Sequence, residues 1–208
     1  MRTRTAAPLV GIAALALSAG AAQATVVTFS QITSNGSVDV SAQLILDITD
    51  LGGGIISFDL SNVGPLSSVI TMFNLQDNSA LFADMTAVIS GAGVDFEEQA
   101  PPGNLPAGNT VNFISAWGSK ATPPPAHNGV NEGEEVELRL LLNGGKSFAD
   151  VSAAIASGAL RAGLHVQSID QPGGGDQSET YVSNPQLPTP GTLAIAALGG
   201  MVATRRRR

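Results

Sequence analysis

Residues 37–48 read SVDVSAQLILDI, and every second position is apolar: Val38, Val40, Ala42, Leu44, Leu46 and Ile48. Successive side chains of a strand point to opposite sides, so this alternation with Ser37, Asp39, Ser41, Gln43 and Asp47 predicts a strand with one face in a core and the other in water. Glycines occupy positions 52–54, and beyond them Ile56, Phe58 and Leu60 alternate with Ser57, Asp59 and Ser61. The pattern predicts an antiparallel hairpin, stopped by Gly64 and Pro65.

The same reading places further strands at 69–75, at 87–90 with a continuation toward Phe96, at 111–116, through Val136, Leu138 and Leu140, and at 164–169, with an edge strand at 180–183. Short strands separated by glycine, proline and asparagine imply a mainly β fold, an antiparallel β-sandwich of about eight strands. One helix interrupts them. In SFADVSAAIASG, Ser147 caps the amide three residues on, Asp150 sits in the acidic first turn, Phe148, Val151 and Ile155 share a face, and Gly158 supplies the left-handed stop. The proline-rich stretches 99–109 and 121–129 are surface loops, because proline fixes φ and removes an amide donor.

The ends have a different composition. MRTRTAAPLVGIAALALSAGAAQA carries Arg2 and Arg4, an apolar run, and small residues at Ala22 and Ala24, the three-part layout of a secretory signal peptide. Cleavage is expected after Ala24, leaving Thr25 as the first mature residue, with signal peptidase and the translocation machinery as partners. At the other end, residues 184–190 read as a linker, and 191–204 form an apolar run of fourteen residues before Arg205, Arg206, Arg207 and Arg208. A helix of that length spans about 21 Å, short of the roughly 30 Å hydrocarbon core. The arginines favour the cytoplasmic side, so the tail suits a transient inner-membrane hold. The expected organisation is therefore a signal peptide at 1–24, a β-sandwich domain at 25–183, a linker at 184–190 and a C-terminal anchor helix at 191–208.

The order Pro188, Thr189, Pro190, Gly191, short apolar helix and terminal arginines resembles the PEP-CTERM protein-sorting signal of exosortase-containing bacteria, with Thr189 standing where that motif usually has glutamate. The stretches SFDLSNVG, GNLPAGNTVNF, GVNEGEEVELRLLL and ALRAGLHVQSI are similar, more loosely, to bodies that carry such tails. The resemblance implies processing by an exosortase-like enzyme and delivery to the cell surface or the extracellular matrix.

Between the ends, four basic residues (Lys120, Arg139, Lys146 and Arg161) face seventeen acidic ones, a formal charge of −13. Such a body is repelled by phosphate backbones, so no nucleic-acid partner is expected. The absence of cysteine excludes disulfides, thiolate metal sites and a cysteine nucleophile. Neither His127 nor His165 belongs to a metal-ligand spacing, and His165 reads as a solvent-facing or edge residue. Two carboxylate groups, Glu132, Glu134, Glu135 and Glu137, and Asp95, Glu97 and Glu98, read as solvated surface, so no catalytic residue is assigned and the chain is read as non-enzymatic. Calcium is the cofactor that the oxygen-bearing residues Asp77, Asn78, Asp84, Asp170 and Asp176 would suit best, but the D-x-D-x-D-G loop is missing and no metal ligand is assigned. A second reading is an extracellular carbohydrate- or calcium-binding module, in which Trp117 stacks on a polysaccharide. A third is a secreted hydrolase built on a carboxylate pair.

Overall fold

A computed structural model describes residues 24–172 and 174–183. The expected signal segment with Ala22, the linker, and the sorting motif Pro188, Thr189, Pro190 and Gly191 with Arg205, Arg206, Arg207 and Arg208 lie outside the described residues.

Eleven strands are found among the described residues: β1 Ala24–Val27, β2 Phe29–Gln31, β3 Leu44–Gly52, β4 Ile55–Asn62, β5 Val69–Asp77, β6 Phe82–Ser90, β7 Phe96–Glu98, β8 Trp117–Ala121, β9 Glu134–Leu142, β10 Leu160–Asp170 and β11 Asp176–Ser183. They form two antiparallel sheets in a sandwich-like arrangement, ordered β1-β3-β4-β9-β6 and β2-β11-β10-β5-β8-β7. The helices are a one-turn α1, Pro125–Asn128, and α2, Phe148–Ser157.

The alternation explains the core. Leu46 and Ile48 of β3 face Leu60 and Phe58 of β4, which in turn face Val136 and Leu138 of β9, and all six are buried. Phe73 and Leu75 of β5 and Leu160, Ala162, Leu164 and Val166 of β10 bury the opposing face against them. Phe58 and Phe82 meet edge to face with ring centroids 5.6 Å apart, a favoured aromatic geometry. Burying a Leu, Ile or Phe side chain contributes about 1.5–3 kcal/mol, so this one cluster dominates stability. Gly52, Gly53 and Gly54 all have positive φ (81°, 64° and 81°), which explains three glycines in the β3–β4 turn. As expected, α2 carries a capping box between Ser147 and Asp150 and stops at left-handed Gly158. The Ser147 amide and hydroxyl hold the Asp150 carboxyl below the usual carboxylate range.

Several expectations are corrected. The alternation at 37–43 is not strand: a 3-10 turn at Ser41–Gln43 exposes Ala42 and turns Gln43 inward. Inside, the Gln43 amide nitrogen donates to Asn62 Oδ1 (2.8 Å), Ser68 Oγ (2.8 Å) and Leu66 O (2.7 Å), a buried polar knot that fastens this corner. Just before the turn, the Val40 amide donates to the hydroxyl of fully buried Tyr181 at 3.2 Å, and burial pushes the Tyr181 phenol up to about 12. β6 ends at Ser90, and Phe96 starts β7 in the other sheet. Residues 111–116 are loop, with the strand starting at Trp117. The last strand is interior, held between β10 and β2. The true edges are three- and four-residue strands, or β6 with its two register shifts; short or bulged edges resist pairing with another chain.

Candidate functional site

On β10 the outward positions are Arg161, Gly163 and His165, and the register sets Gln76, Asn74 and Met72 of β5 beside them. Gly118 and Lys120 of β8 continue the rows of Asn74 and Met72. The segment 99–116, between β7 and β8, folds onto this face as a flap. Leu105 and Phe113 bury themselves against Val182, with Ile32, Met72 and Val111 around them, a small apolar cluster separate from the main core.

Two glycines make room for it. A Cβ on Gly163 would lie 2.6 Å from Leu105 Cδ2 and 2.8 Å from Phe113 Cζ, and one on Gly118 would lie 2.9 Å from Pro102 Cβ. Polar residues of β5 then clamp the flap. Asn74 Nδ2 donates to Gly103 O and Ser115 Oγ, both at 2.8 Å, and the Ile114 amide donates to Gln76 Oε1 at 3.3 Å. Arg161 Nη2 donates to Gln76 Oε1 (2.6 Å), Asn112 O (2.9 Å) and Val111 O (3.1 Å), while its guanidinium carbon lies 5.6 Å from the centre of the Phe113 ring. Burial lowers the Arg161 pKa.

The flap separates two clefts. One, of about 320 Å³, is lined by Arg161 and Val111 together with Ile32, Ser157, Val182 and Ser183. The other, of about 250 Å³, is lined by His165, Thr71, Gln167, Lys120, Met72 and Pro123. His165 is neither an edge residue nor fully solvent-facing: it sits half-buried on an interior strand. Its Nδ1 lies 3.4 Å from Thr71 Oγ1 and 3.3 Å from Gln167 Nε2, and burial lowers its pKa. His127 is exposed on α1. Trp117 opens β8 half-buried, packed against the main core.

The other sheet presents carboxylates. Asp47, Asp59 and Glu137 stand directly opposite one another across β3, β4 and β9. Arg139 holds Glu137 with two bonds (2.7 and 3.1 Å), and Ser57 Oγ adds a third at 2.6 Å. The bonds from Arg139 and Ser57 depress the Glu137 pKa against the opposing effect of burial. Asp59 has no such help: its Oδ1 is buried without a partner, and burial first, then Glu135, Glu137 and Asp47, raise its pKa. Glu137 is thus a partnered, largely covered group rather than a freely solvated one.

The remaining acidic candidates hold loops. Glu132 accepts the Ser68 amide, Glu134 the Asn131 amide, Asp95 the Thr122 hydroxyl, and Asp77 the amides of Ser79, Leu81 and Phe82. Glu97 pairs with Lys120 at 3.7 Å. Glu98, Asp84, Asp170 and Asp176 are exposed, and Asp170 pairs in register with Asp176. Among the described residues no three histidine or acidic side chains gather as a metal-holding group.

The least predictable carboxylate is Glu179. It is 1% exposed and accepts the Thr33 hydroxyl and the amides of Asn35 (2.6 Å) and Gly36 (2.7 Å), fastening the strap that leads from β2 toward β3. It stands one residue before the strand expected at 180–183, and the local sequence carries no sign of its burial. Comparison of the chain with protein-family models, with curated proteins and with solved structures finds no match.

Proposed function

We propose that the protein is an exported, non-enzymatic component of the cell surface or extracellular matrix, sorted by its PEP-CTERM-like tail. The observation that carries this reading is the ordered tail, Pro188 to Gly191, apolar run and four arginines, paired with a signal-peptide layout at the other end of the same chain. The body is compatible with both processing events. Ala24 is an exposed first residue of β1, so cleavage after it removes one register pair, Ala24 with Thr49, and leaves Thr25 to Val27 on β3. Every other sheet pairing lies between Thr25 and Ser183.

In this reading signal peptidase and an exosortase-like enzyme act in turn. The inner membrane holds the tail in between, and the body works by display of a hydrated, acidic surface. Intact-mass measurement on membrane and extracellular fractions of the native host tests it. A species beginning at Thr25 and lacking the apolar run and arginines supports sorting and release; a sole species retaining Arg205 to Arg208 overturns it.

A further inference from the structure

Among the described residues the hydrogen-bond partners of Arg161 are all neutral. Lys120 and Arg139 each have a carboxylate, whereas among the described residues Arg161 makes no ion pair. A guanidinium carries five N–H donors. Here Nη2 serves three oxygen acceptors of the flap and β5, Nε is buried without an acceptor, and among the described residues Nη1 has no acceptor. The three bonds and the Phe113 ring hold the group fixed, so Nη1 needs no further ordering.

Arg161 lines the cleft of about 320 Å³, at the lower end of the roughly 300–1,000 Å³ of small-molecule sites. Among the described residues no acidic one lines it. Ser183, only 6% exposed, accepts the Ala162 amide at 2.8 Å, and among the described residues its hydroxyl proton has no acceptor. Ser157 spends its proton on Ala154 O at 3.2 Å and keeps oxygen lone pairs for accepting. The last turn of α2 adds little opposing charge, because Gly158 and Ala159 amides already occupy the carbonyls of Ile155 and Ala154. Val111, Val182 and Ile32 supply an apolar wall.

We propose that this cleft binds a monocarboxylate carried on a hydroxyl-bearing ligand of monosaccharide size, the simplest being a uronic acid. The carboxylate meets Arg161 Nη1, the serines take ligand hydroxyls, and the apolar wall takes a ring face. A single positive charge within a body of formal charge −13 matches one negative charge and disfavours a phosphate dianion. The assignment stands apart from the sorting reading: it holds whichever way the tail is processed.

The test is a titration of the ¹⁵N-labelled full-length chain with galacturonate, galactose and inorganic phosphate, followed by amide shifts. Galacturonate is expected to give saturable shifts centred on Gly158, Arg161 and Ser183, and to bind at least about tenfold more tightly than galactose, the usual scale for a hydrogen bond to a charged group. R161Q is expected to lose at least about tenfold in affinity while its amide pattern in the first sheet is unchanged. Equal binding of galactose, preference for phosphate, shifts centred elsewhere, no saturation, or a folded R161Q that binds as the parent does would each overturn the proposal. Should R161Q fail to fold, the three ligands and the shift map on the parent chain decide it.

Discussion

Replacing Asp59 by Asn is expected to stabilise the protein at neutral pH. Asp59 stands between Asp47 and Glu137 on adjacent strands, and like charges directly opposite in a sheet cost about 0.2–1 kcal/mol a pair. Burial weighs most against the charged form, then Glu135, then Glu137, which Arg139 already partners, and last Asp47. Together the opposed charges amount to about 1 kcal/mol, or a rise in Tm of about 2–4 °C for a domain of this size.

The sign with pH follows from linkage. The Asp59 pKa is raised in the fold, so its carboxyl holds a proton more readily folded than unfolded, and the parent gains stability as pH falls toward the ordinary value of 3.8. The advantage of D59N should therefore be full above the raised pKa and vanish below 3.8. Calorimetric melts of both proteins from pH 7 to pH 3 measure it. A variant that melts at or below the parent at pH 7, or that keeps the same advantage at pH 3, refutes the argument that the opposed charges and the buried oxygen set the cost.

Three further outcomes follow from the packing. Gly163→Ala drives a methyl into Leu105 and Phe113 and should cost about 1–3 kcal/mol, with chymotrypsin cutting at Phe113 much faster than in the parent; unchanged proteolysis would mean that the flap is not seated by that contact. Glu179→Gln puts an amide NH₂ among the donors of Thr33, Asn35 and Gly36 and should cost about 2–3 kcal/mol, read as a lower urea midpoint and faster exchange of the Gly36 amide. Asn62→Ala leaves the buried Gln43 amide short of one acceptor and should cost about 1–3 kcal/mol, again in urea; a loss under about 0.5 kcal/mol would show that Ser68 and Leu66 suffice.

The elements legible in the sequence are those whose cause is local. The β3–β4 hairpin rests on alternation and three adjacent glycines, and α2 on Ser147, Asp150 and Gly158, all within a few residues. Alternation misleads at 37–43 because the residue that decides the turn, Gln43, bonds to Asn62 and Ser68, which a local pattern does not contain. Within the flap the sequence suggests a surface loop at 99–109 and a strand at 111–116. The seat of the flap consists of Gly118, Asn74 and Gly163, which become one row only when β8, β5 and β10 pair. The row of Asp47, Asp59 and Glu137 is hidden in the same way, since each carboxylate alone is an ordinary outward strand residue. Arg161 is one of only four basic residues in the body, and among the described residues Lys120 and Arg139 form ion pairs while Lys146 and Arg161 do not, so charge counting alone did not single it out.

The two outer faces have therefore been put to different uses by the same alternation. On the first sheet the outward positions carry Asp47, Asp59, Glu135 and Glu137, and the sheet accepts the cost of opposed charges there, set against the much larger burial of its inner face. On the second sheet glycine replaces charge at Gly163 and Gly118, the flap covers the space they leave, and a cleft remains on either side. Among the described residues no carboxylate lines the Arg161 cleft, although the chain carries seventeen acidic residues. For the ligand site proposed at Arg161, which lies on the second sheet, charge reversal on the outer face of the first should leave binding unchanged.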